Sequence, residues 1–393
     1  MHDVAGAERS AQDELLAVLA RCWHPVCTTG ELAAGRPVAV RLLERDLAVA
    51  RLGDGSLVAL DDRCPHRSTR LSVGSVDGCA LRCAYHGWAF DGAGRCVDVP
   101  SMPGGPIPAG AAVGAHDVDE RHGLIWVRLE RPGPGEAGSS IPPRDASDDA
   151  TLRTLDGEPY TWPVSALRRV ENFTDLAHFA FVHDGSLGRR DEPVPPLPPT
   201  IDRVGDELRF TYEPPDFDPD GAAMYGTSSY RIVMPCTVQI EFRLATGARR
   251  LLWMTASPID RASCRTFWSM SRDDDLHDGD AGARARADAE HLAFQQRVLD
   301  EDAPVVGAQH PGELPLDPAA ELSVATDLVS NVYRRWVRAL VRAHAGGGQV
   351  ALAEAIGWSA NERTSAESRA ASPGSSHDAS IPSSAMATSS ASS

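Results

Sequence analysis

The sequence predicts an α+β protein of two domains, in which a small β domain rich in loops precedes a larger domain whose antiparallel sheet is flanked by helices. Three short segments near the N-terminus alternate apolar and polar residues, as antiparallel strands do: 38–43, 46–51 and 57–60. A second strand-rich stretch covers roughly 208–270, and helical periodicity follows at 283–301 and 320–344. Sheet flanked by helices is typical of an α+β domain.

The order of these segments divides the chain. The predicted units are an N-terminal helical segment at 1–34, the β domain at 35–135, a linker at 136–150, the second domain at 151–350 and a tail at 359–393. The tail is rich in Ser and Ala and has few bulky apolar residues. Because such a composition cannot bury a core, the tail is predicted to be disordered.

Composition and charge exclude several classes of function. Lys and Arg total 38 against 55 Asp and Glu, which gives a net charge of −17. This excess repels phosphate backbones and anionic lipids, which argues against nucleic-acid or membrane-surface binding. No apolar run approaches the ~20 residues that span a bilayer, and the N-terminus lacks the basic start and apolar core of a secretory signal. The sequence therefore predicts a cytoplasmic protein.

Two of the eight cysteines stand out. Eight cysteines in 393 residues are too sparse for a disulfide scaffold, and most free cysteines are small buried hydrophobic residues. Cys64 and Cys83 differ because a histidine follows each closely, in Cys64-Pro65-His66 and, after sixteen further residues, in Cys83-Ala84-Tyr85-His86. The four candidate ligands are Cys64, His66, Cys83 and His86.

Two loops that each offer one thiolate and one imidazole match a binuclear iron–sulfur cluster with two Cys on one iron and two His on the other. Zinc is an alternative, but zinc fingers usually space their ligands as Cys-x₂₋₄-Cys followed by His-x₃₋₅-His. One Cys with one His in each loop suits two irons better than one tetrahedral ion. The remaining alternative is four unrelated side chains.

A second motif, Asp175-x₂-His178-x₄-His183, lies in the segment 164–183, which is predicted to be helical. Three residues apart on a helix, Asp175 and His178 would share a face. Two imidazoles and one carboxylate form the facial triad of non-haem Fe(II) oxygenases. Taken alone, however, a His pair among Phe and Val residues is more often buried structure.

Together the motifs identify a family. The strings CPHRSTRLSVGSV, CAYHGWAFDGAGRCVDVPS, RVENFTDLAHFAFVHDGSLG and VLDEDAPVVGAQ resemble the α subunits of Rieske non-haem iron oxygenases. The branch is the one that contains vanillate and dicamba demethylases, ketosteroid hydroxylases and saxitoxin-type hydroxylases. The resemblance covers nearly all of residues 20–345.

The resemblance implies a role for each candidate residue. Cys64, His66, Cys83 and His86 would hold a [2Fe–2S] cluster, and His178, His183 and Asp302 a mononuclear Fe(II). Asp175 would bridge an iron-ligand His to His86 of the neighbouring subunit, most often in a homotrimer. Asp300 and Glu301 are competing carboxylates beside Asp302. Pro304 lacks an N–H, so it is expected to kink or end the helix that carries Asp302.

The implied function is a terminal oxygenase that uses O₂ and electrons to hydroxylate, demethylate or oxidatively cyclise a small apolar substrate that contains a ring. The chain lacks a Cys-x₄-Cys-x₂-Cys motif and a G-x-G-x-x-G motif opening a helix, so electrons are expected from a separate ferredoxin or reductase. The alternatives are a cis-dihydroxylating dioxygenase and a Rieske electron carrier. The predicted pocket residues lie in 185–260 and are Tyr225, Tyr230, Met234, Phe242, Leu251 and Trp253.

Overall fold

The computed structural model describes residues 2–32, 35–131, 139–191, 200–212, 227–244, 247–273, 280–345 and 363–365. Within these ranges the helices are α1 (His2–Ala20), α2 (Ala166–Thr174), α3 (Phe179–Val182), α4 (Ala281–Val306) and α5 (Leu328–Ala345). Short 3₁₀ turns lie at Thr29–Glu31, Leu71–Val73, Asp145–Ser147 and Ala325–Asp327. The predicted α+β class is confirmed, with a β domain followed by a sheet-and-helix domain.

The first domain is built from two antiparallel sheets. Its strands are β1 (His24–Thr28), β2 (Val38–Leu42), β3 (Arg45–Arg51), β4 (Leu57–Asp61), β5 (Ser75–Asp77), β6 (Ala80–Arg82), β7 (Ala89–Phe90), β8 (Cys96–Asp98), β9 (Ala115–Arg121) and β10 (Leu124–Arg128). A six-stranded sheet has the order β1-β10-β9-β4-β3-β2, and a four-stranded sheet has the order β5-β6-β7-β8. The three strands predicted at 38–60 are present with ends shifted by about one residue. Strand β1 was not predicted and lies in the segment 1–34.

The second domain contains a nine-stranded antiparallel sheet. Its strands are β11 (Arg153–Asp156), β12 (Tyr160–Trp162), β13 (Thr200–Val204), β14 (Glu207–Tyr212), β15 (Ser228–Val233), β16 (Thr237–Arg243), β17 (Arg249–Asp260), β18 (Ser263–Arg272) and β19 (Arg363–Ser365). The order is β11-β18-β17-β16-β15-β14-β13-β19, and β12 also pairs with β18. Strands β17 and β18 are buried along most of their length, because helices or the first domain cover both faces of the sheet.

Three residues of the predicted tail form a strand, since Arg363–Ser365 pairs with Thr200–Asp202 at the sheet edge. The disorder of the tail 359–393 stays a prediction. An unpaired edge strand offers free backbone groups, and a later segment of chain can satisfy them. The other residues of 359–393 lie outside the described ranges.

A continuous hydrophobic core joins the two domains. It includes Leu47 and Ile125 from the six-stranded sheet, Val170 from α2 and Trp336 from α5. Leu15 of α1 belongs to the same core. The N-terminal helix therefore packs into the body of the molecule. None of the helices in the described part of the chain is both long and apolar enough to cross a membrane.

The helix predicted at 164–183 is interrupted. Helix α2 ends at Thr174, and Asp175 caps it with an extended backbone (φ −83°, ψ 128°). The Asp175 carboxylate accepts a hydrogen bond from the N–H of Ala177 at 2.8 Å, which stabilises a turn instead of a continuing helix. Helix α3 begins only at Phe179. The expectation that Asp175 and His178 share a helical face is therefore wrong, and a turn joins them.

Pro304 was expected to kink or end the helix that carries Asp302, but helix α4 does not end there. It continues to Val306, and Gly307 caps it with an N–H that donates to Ala303 at 2.9 Å. Pro304 stands in the last turn, so its missing N–H costs a single helical hydrogen bond and leaves the residues before it undisturbed. Asp302 is therefore held within a regular helix.

Candidate metal centres and substrate cavity

The two loops that carry the Cys and His pairs share one backbone hydrogen-bonding pattern. In each loop the cysteine N–H donates to the carbonyl five residues later, and the cysteine carbonyl accepts from the N–H four residues later. These distances are 2.9 and 3.0 Å in the Cys64 loop and 2.8 and 3.1 Å in the Cys83 loop. The residue four positions on is left-handed in both, with φ of 58° at Ser68 and 74° at Gly87. The two loops therefore present their ligands in the same way.

The thiols meet on one side of these loops. Cys64 and Cys83 are both buried, at 2% and 3% exposure. Burial raises the pKa of the Cys64 thiol, while the N–H groups of His66 and Arg67 donate toward its sulfur and the neighbouring Cys83 raises its pKa further. Amide donors around a sulfur stabilise a thiolate and the sulfurs of a bound cluster.

The imidazoles meet beside the thiols. The rings of His66 and His86 lie 4.5 Å apart between centroids, and Trp88 stacks on His66 at 4.8 Å with nearly parallel planes. Nδ1 of His66 is buried without a hydrogen-bond partner in the described part of the chain. A buried nitrogen without a partner is costly, and bonding to an iron would satisfy it.

Paired thiols and paired imidazoles fit two irons better than one. A tetrahedral zinc would bring all four donors within about 4 Å of one another, given metal–ligand bonds of about 2.0–2.3 Å. Among the described residues, three or more donor atoms of His, Cys, Asp or Glu lie within 4.8 Å of one another in one group. That group does not include the two cysteines and two histidines of the loops. The residues present therefore fit a [2Fe–2S] cluster.

That compact group consists of His178, His183 and Asp302. The Nε2 atoms of the two histidines are 3.2 Å apart, and Oδ1 of Asp302 lies 3.4 Å from His178 Nε2 and 3.3 Å from His183 Nε2. Ligands bonded to one iron at about 2.0–2.2 Å are separated by similar distances. Three converging donors leave the opposite side free, as a facial triad requires.

Each histidine of this group is held from behind by a carboxylate. Asp175 Oδ2 lies 3.3 Å from Nδ1 of His178, and Glu301 Oε2 lies 2.8 Å from Nδ1 of His183. Carboxylates in this position select the tautomer that leaves Nε2 free for a metal. Asp175 therefore lies behind the triad. It contacts Nδ1 of His178, while Nε2 of the same ring faces the other two members of the triad.

The acidic surroundings shift the pKa values of the group. Burial lowers the pKa of His178, but the carboxylates of Asp175 and Asp302 outweigh this effect and raise it to about 9. Burial raises the pKa of Asp302, but hydrogen bonds from His178 and His183 and the charge of Arg169 bring it well below its usual range. The site therefore attracts positive charge, as a cation-binding site must.

The competing carboxylates point elsewhere. Asp300 is exposed and accepts a hydrogen bond from Gln296 at 2.9 Å on the helix surface. Glu301 contacts the distal nitrogen of His183, and Ser186 donates to the same carboxylate oxygen at 2.6 Å. Sequence reasoning had considered Glu301 only as a rival ligand. Its adjacency to Asp302 could not show that the two carboxylates approach the histidines from different sides.

Asn172 was also missed. Its Nδ2 donates to Oδ1 of Asp302 at 3.2 Å, the same oxygen that faces both histidines. Its position three residues before Asp175 was visible in the sequence, but a contact with a residue 130 positions away was not.

A small apolar cavity of about 50 Å³ adjoins the triad. Its lining residues are Asn172, Phe173, His178, Phe179, His183, Leu187, Tyr230, Ile240, Phe242, Leu252, Gln295, Val298 and Asp302. Gln295 on α4 is 6% exposed, and its amide has no hydrogen-bonding partner in the described ranges. Of the predicted pocket residues, Tyr230 and Phe242 line the cavity, and Tyr225 lies outside the described residues.

The other three predicted pocket residues face different cores. Leu251 and Trp253 alternate with Leu252 on β17, so they project from the opposite face of the sheet. Met234 is buried in the core shared by the two domains. These three assignments to the pocket are wrong: the face of a strand reverses at every residue, which turns Leu251 and Trp253 away, and Met234 follows the end of β15.

Comparisons with known proteins agree with both centres. Residues 22–111 match the Rieske [2Fe-2S] domain, and residues 162–343 match the vanillate O-demethylase oxygenase C-terminal domain. The chain is 40% identical over 336 residues to methylxanthine N1-demethylase NdmA of Pseudomonas putida, which covers 83% of this chain and 90% of that protein. It is 39% identical over 334 residues to methylxanthine N3-demethylase NdmB of the same organism, covering 81% and 88%.

A solved structure agrees as well. The structure of NdmA of Pseudomonas putida CBB5 with caffeine matches with a TM-score of 0.76 at 38% identity, covering 87% of this chain and 96% of that one. The second matched domain is absent from a pure electron carrier, so that alternative fails.

Proposed function

This chain belongs to the Rieske non-haem iron oxygenases, and we propose that it removes an N-methyl group from a small heterocyclic substrate. As a member of that family it is an oxidoreductase and an oxygenase component, with a Rieske [2Fe–2S] domain and an oxygenase domain. It takes a small-molecule substrate and depends on a separate reductase. The observation that carries the proposal is the apolar cavity that places one unpartnered amide, that of Gln295, beside the triad.

The proposed ligands follow from the two groups of donor atoms. Cys64 and Cys83 would hold one iron of the cluster and His66 and His86 the other. His178, His183 and Asp302 would hold the mononuclear iron. When bound, the cluster supplies electrons and the mononuclear iron supplies the centre at which O₂ is activated.

The side chains of this protein orient the two imidazoles of the triad and enclose the substrate cavity. Asp175 and Glu301 fix the two imidazoles with their Nε2 atoms toward the shared point. Apolar walls such as Phe173 and Leu252 exclude water, and a dry site limits the escape of reactive oxygen species.

The substrate class follows from the cavity. Its walls are largely aromatic and aliphatic, which suits a flat ring. Gln295 offers both a donor and an acceptor, which suits a ring carbonyl or ring N–H and leaves a purely hydrocarbon ring unable to satisfy it. Two relatives are named for acting on methylxanthines, heterocycles of this kind. The proposed balance is R₂N–CH₃ + O₂ + 2e⁻ + 2H⁺ → R₂N–H + CH₂O + H₂O.

Turnover with a panel of N-methylated heterocycles tests the reaction. The holoenzyme, a reductase and O₂ should release formaldehyde in a 1:1 ratio to demethylated product, with methylxanthines as the first substrates tried. A hydroxylated product that keeps its methyl group, or a cis-diol, would overturn demethylation.

Gln295→Leu tests recognition. The variant should lower kcat/KM by about tenfold for a carbonyl-bearing substrate, because one hydrogen bond of about 1–1.5 kcal/mol is lost. A matched substrate without the carbonyl should change little. Gln296→Leu is the control, since Gln296 bonds Asp300 on the helix surface instead of lining the cavity. Equal losses for both substrates would contradict the assigned role of Gln295.

We also propose that the chain is a homotrimer in which His86 of one subunit contacts Asp175 of the next. His86 is exposed beside Tyr85, which is 63% exposed. Asp175 lies in a depression lined also by Val305 and Leu322, which are 53% and 100% exposed. Each of these surfaces lies next to one metal centre and carries exposed apolar or aromatic side chains, which suits head-to-tail contact between copies.

Asp175→Asn tests this contact. With iron supplied in excess of the weakened triad, both metal centres should assemble and the cluster should reduce normally, yet its reoxidation with substrate and O₂ present should slow by orders of magnitude. Wild-type reoxidation rates in a stopped-flow experiment would refute the bridge, and a monomer in sedimentation analysis would refute the trimer.

The remaining proposals concern domains and location. We propose a cluster domain at about 35–135, a linker at 136–150 and a catalytic domain at 151–350, with the segment 1–34 contributing α1 and β1 to the folded body. We also propose a cytoplasmic location, because its eight cysteines are free, as is usual in a reducing compartment.

A further inference from the structure

Arg169 is a fully buried arginine next to the mononuclear centre, with no carboxylate partner of its own. It is 0% exposed, and no ion pair joins it to an acidic side chain in the described part of the chain. Its Nη2 is buried without a hydrogen-bond partner among the described residues. A buried charge costs several kcal/mol unless something compensates it, so its position requires an explanation.

The guanidinium is held in one place by its surroundings. Its Cζ lies 4.4 Å from the ring centre of Trp162 and 4.9 Å from that of Phe173. Its Nε donates to the hydroxyl of Tyr160 at 2.8 Å. Aromatic faces stabilise a cation that has lost its water, but none of these groups neutralises it.

The negative charge that compensates Arg169 is that of Asp302, and the side chain of Asn172 lies between the two. Nη1 of Arg169 donates to Oδ1 of Asn172, and Nδ2 of Asn172 donates to Oδ1 of Asp302 at 3.2 Å. A guanidinium can only donate and a carboxylate can only accept, so each fixes one end of the amide. Asn172 follows Arg169 by three residues on α2, which places both on one face of the helix.

We propose that Arg169 is a positioning residue that holds Asn172 against the Asp302 ligand oxygen and biases the mononuclear iron toward its ferrous state. The inference rests on the proposed ligands His178, His183 and Asp302. A hydrogen bond to the ligand oxygen withdraws electron density from the metal, and a nearby positive charge disfavours the higher oxidation state. Both effects raise the Fe(III)/Fe(II) potential.

Charge balance supports this assignment. The carboxylates of Asp175, Glu301 and Asp302 contact the two imidazoles and bring three negative charges. A divalent iron and Arg169 bring three positive ones. A trivalent iron would leave an excess positive charge in a buried site, so the arrangement favours the ferrous form.

The test is an anaerobic redox titration of the holoenzyme, followed by the ferric signal of the mononuclear iron in electron paramagnetic resonance. Arg169→Met keeps an unbranched, flexible side chain that suits an aromatic cage, and apolar replacement of a buried ion is often tolerated. The midpoint potential of its mononuclear iron should fall by at least about 59 mV, which for one electron is a tenfold change in the oxidised-to-reduced ratio. The cluster midpoint, measured in the same sample, should not move.

Arg168→Met is the matched control. Arg168 is 2% exposed and adjacent on α2, but it pairs with Glu321 at 2.7 Å instead of facing the triad. It should leave the mononuclear midpoint at the wild-type value. A wild-type midpoint in Arg169→Met, or an equal shift in Arg168→Met, overturns the inference.

If Arg169→Met does not fold, Asn172→Ala breaks the same link and keeps the arginine. Its mononuclear midpoint should shift in the same direction, and an unchanged midpoint overturns the positioning role. Failure of the proposed iron site has a different signature, because wild-type protein with an intact cluster would then show no mononuclear iron signal at all.

Discussion

The cluster loops and the triad bring their donor atoms together by different means. Each cluster loop orders a Cys and a His within a few residues, through a turn closed by its own backbone. The triad combines His178 and His183, which flank α3, with Asp302, which lies on α4 more than one hundred residues later.

Because the two centres are assembled differently, different kinds of substitution should disrupt them. A local turn sets its ligand geometry by backbone conformation, so it is sensitive to the φ angle at one position. A centre assembled from distant helices depends on side chains behind the ligands, such as Asp175 and Glu301. Substitutions can separate these two dependences.

The largest expected effect comes from Asp302→Ala. Removing the one ligand that α4 supplies should abolish turnover and lower bound iron by one of the three expected per chain. The visible spectrum of the cluster should be unchanged, because its loops do not include α4. Iron and acid-labile sulfide analysis measures this, with Cys83→Ser as the converse variant that should lose sulfide and keep mononuclear iron. Loss of both centres in Asp302→Ala would show that they are not independent.

An intermediate effect is expected from Glu301→Gln. The amide keeps the size of the side chain but removes the charge behind His183, which should weaken metal binding at the triad about 10–100-fold. Titration of the apo triad with Co(II) measures the affinity. Asp300→Asn is the control, since the neighbouring Asp300 contacts only Gln296 among the described side chains. Equal affinities in the two variants would remove Glu301 from the site.

The smallest effect is expected in the loops. Gly87 has a φ of 74°, and a Cβ there would lie 3.0 Å from Cγ of Pro100. Gly87→Ala should therefore lower the free energy of unfolding by about 1–2 kcal/mol. Ser68→Gly changes the equivalent position of the other loop and should alter it by at most about 0.5 kcal/mol. Denaturant unfolding of the holoenzyme measures both free energies of unfolding. Equal losses in Gly87→Ala and Ser68→Gly would contradict the matched geometry of the loops.

The cavity marks the limit of sequence reasoning in this protein. The stretch that includes β17 was correctly associated with the pocket, yet Leu251 and Trp253 face another core while Leu252 lines the cavity. One residue of register decides the face of a strand. No sequence pattern marks Gln295, because a glutamine on an amphipathic helix is usually exposed.

By itself, the sequence determined the fold class, both ligand motifs and the family, since these depend on short-range spacing and alternation that survive without knowledge of contacts. Only the tertiary structure decided that a turn separates Asp175 from His178, that Glu301 lies behind His183, and that Arg169 reaches Asp302 through Asn172. These features depend on which helix faces approach one another. Burial against distant parts of the chain sets that approach, and no local pattern encodes it.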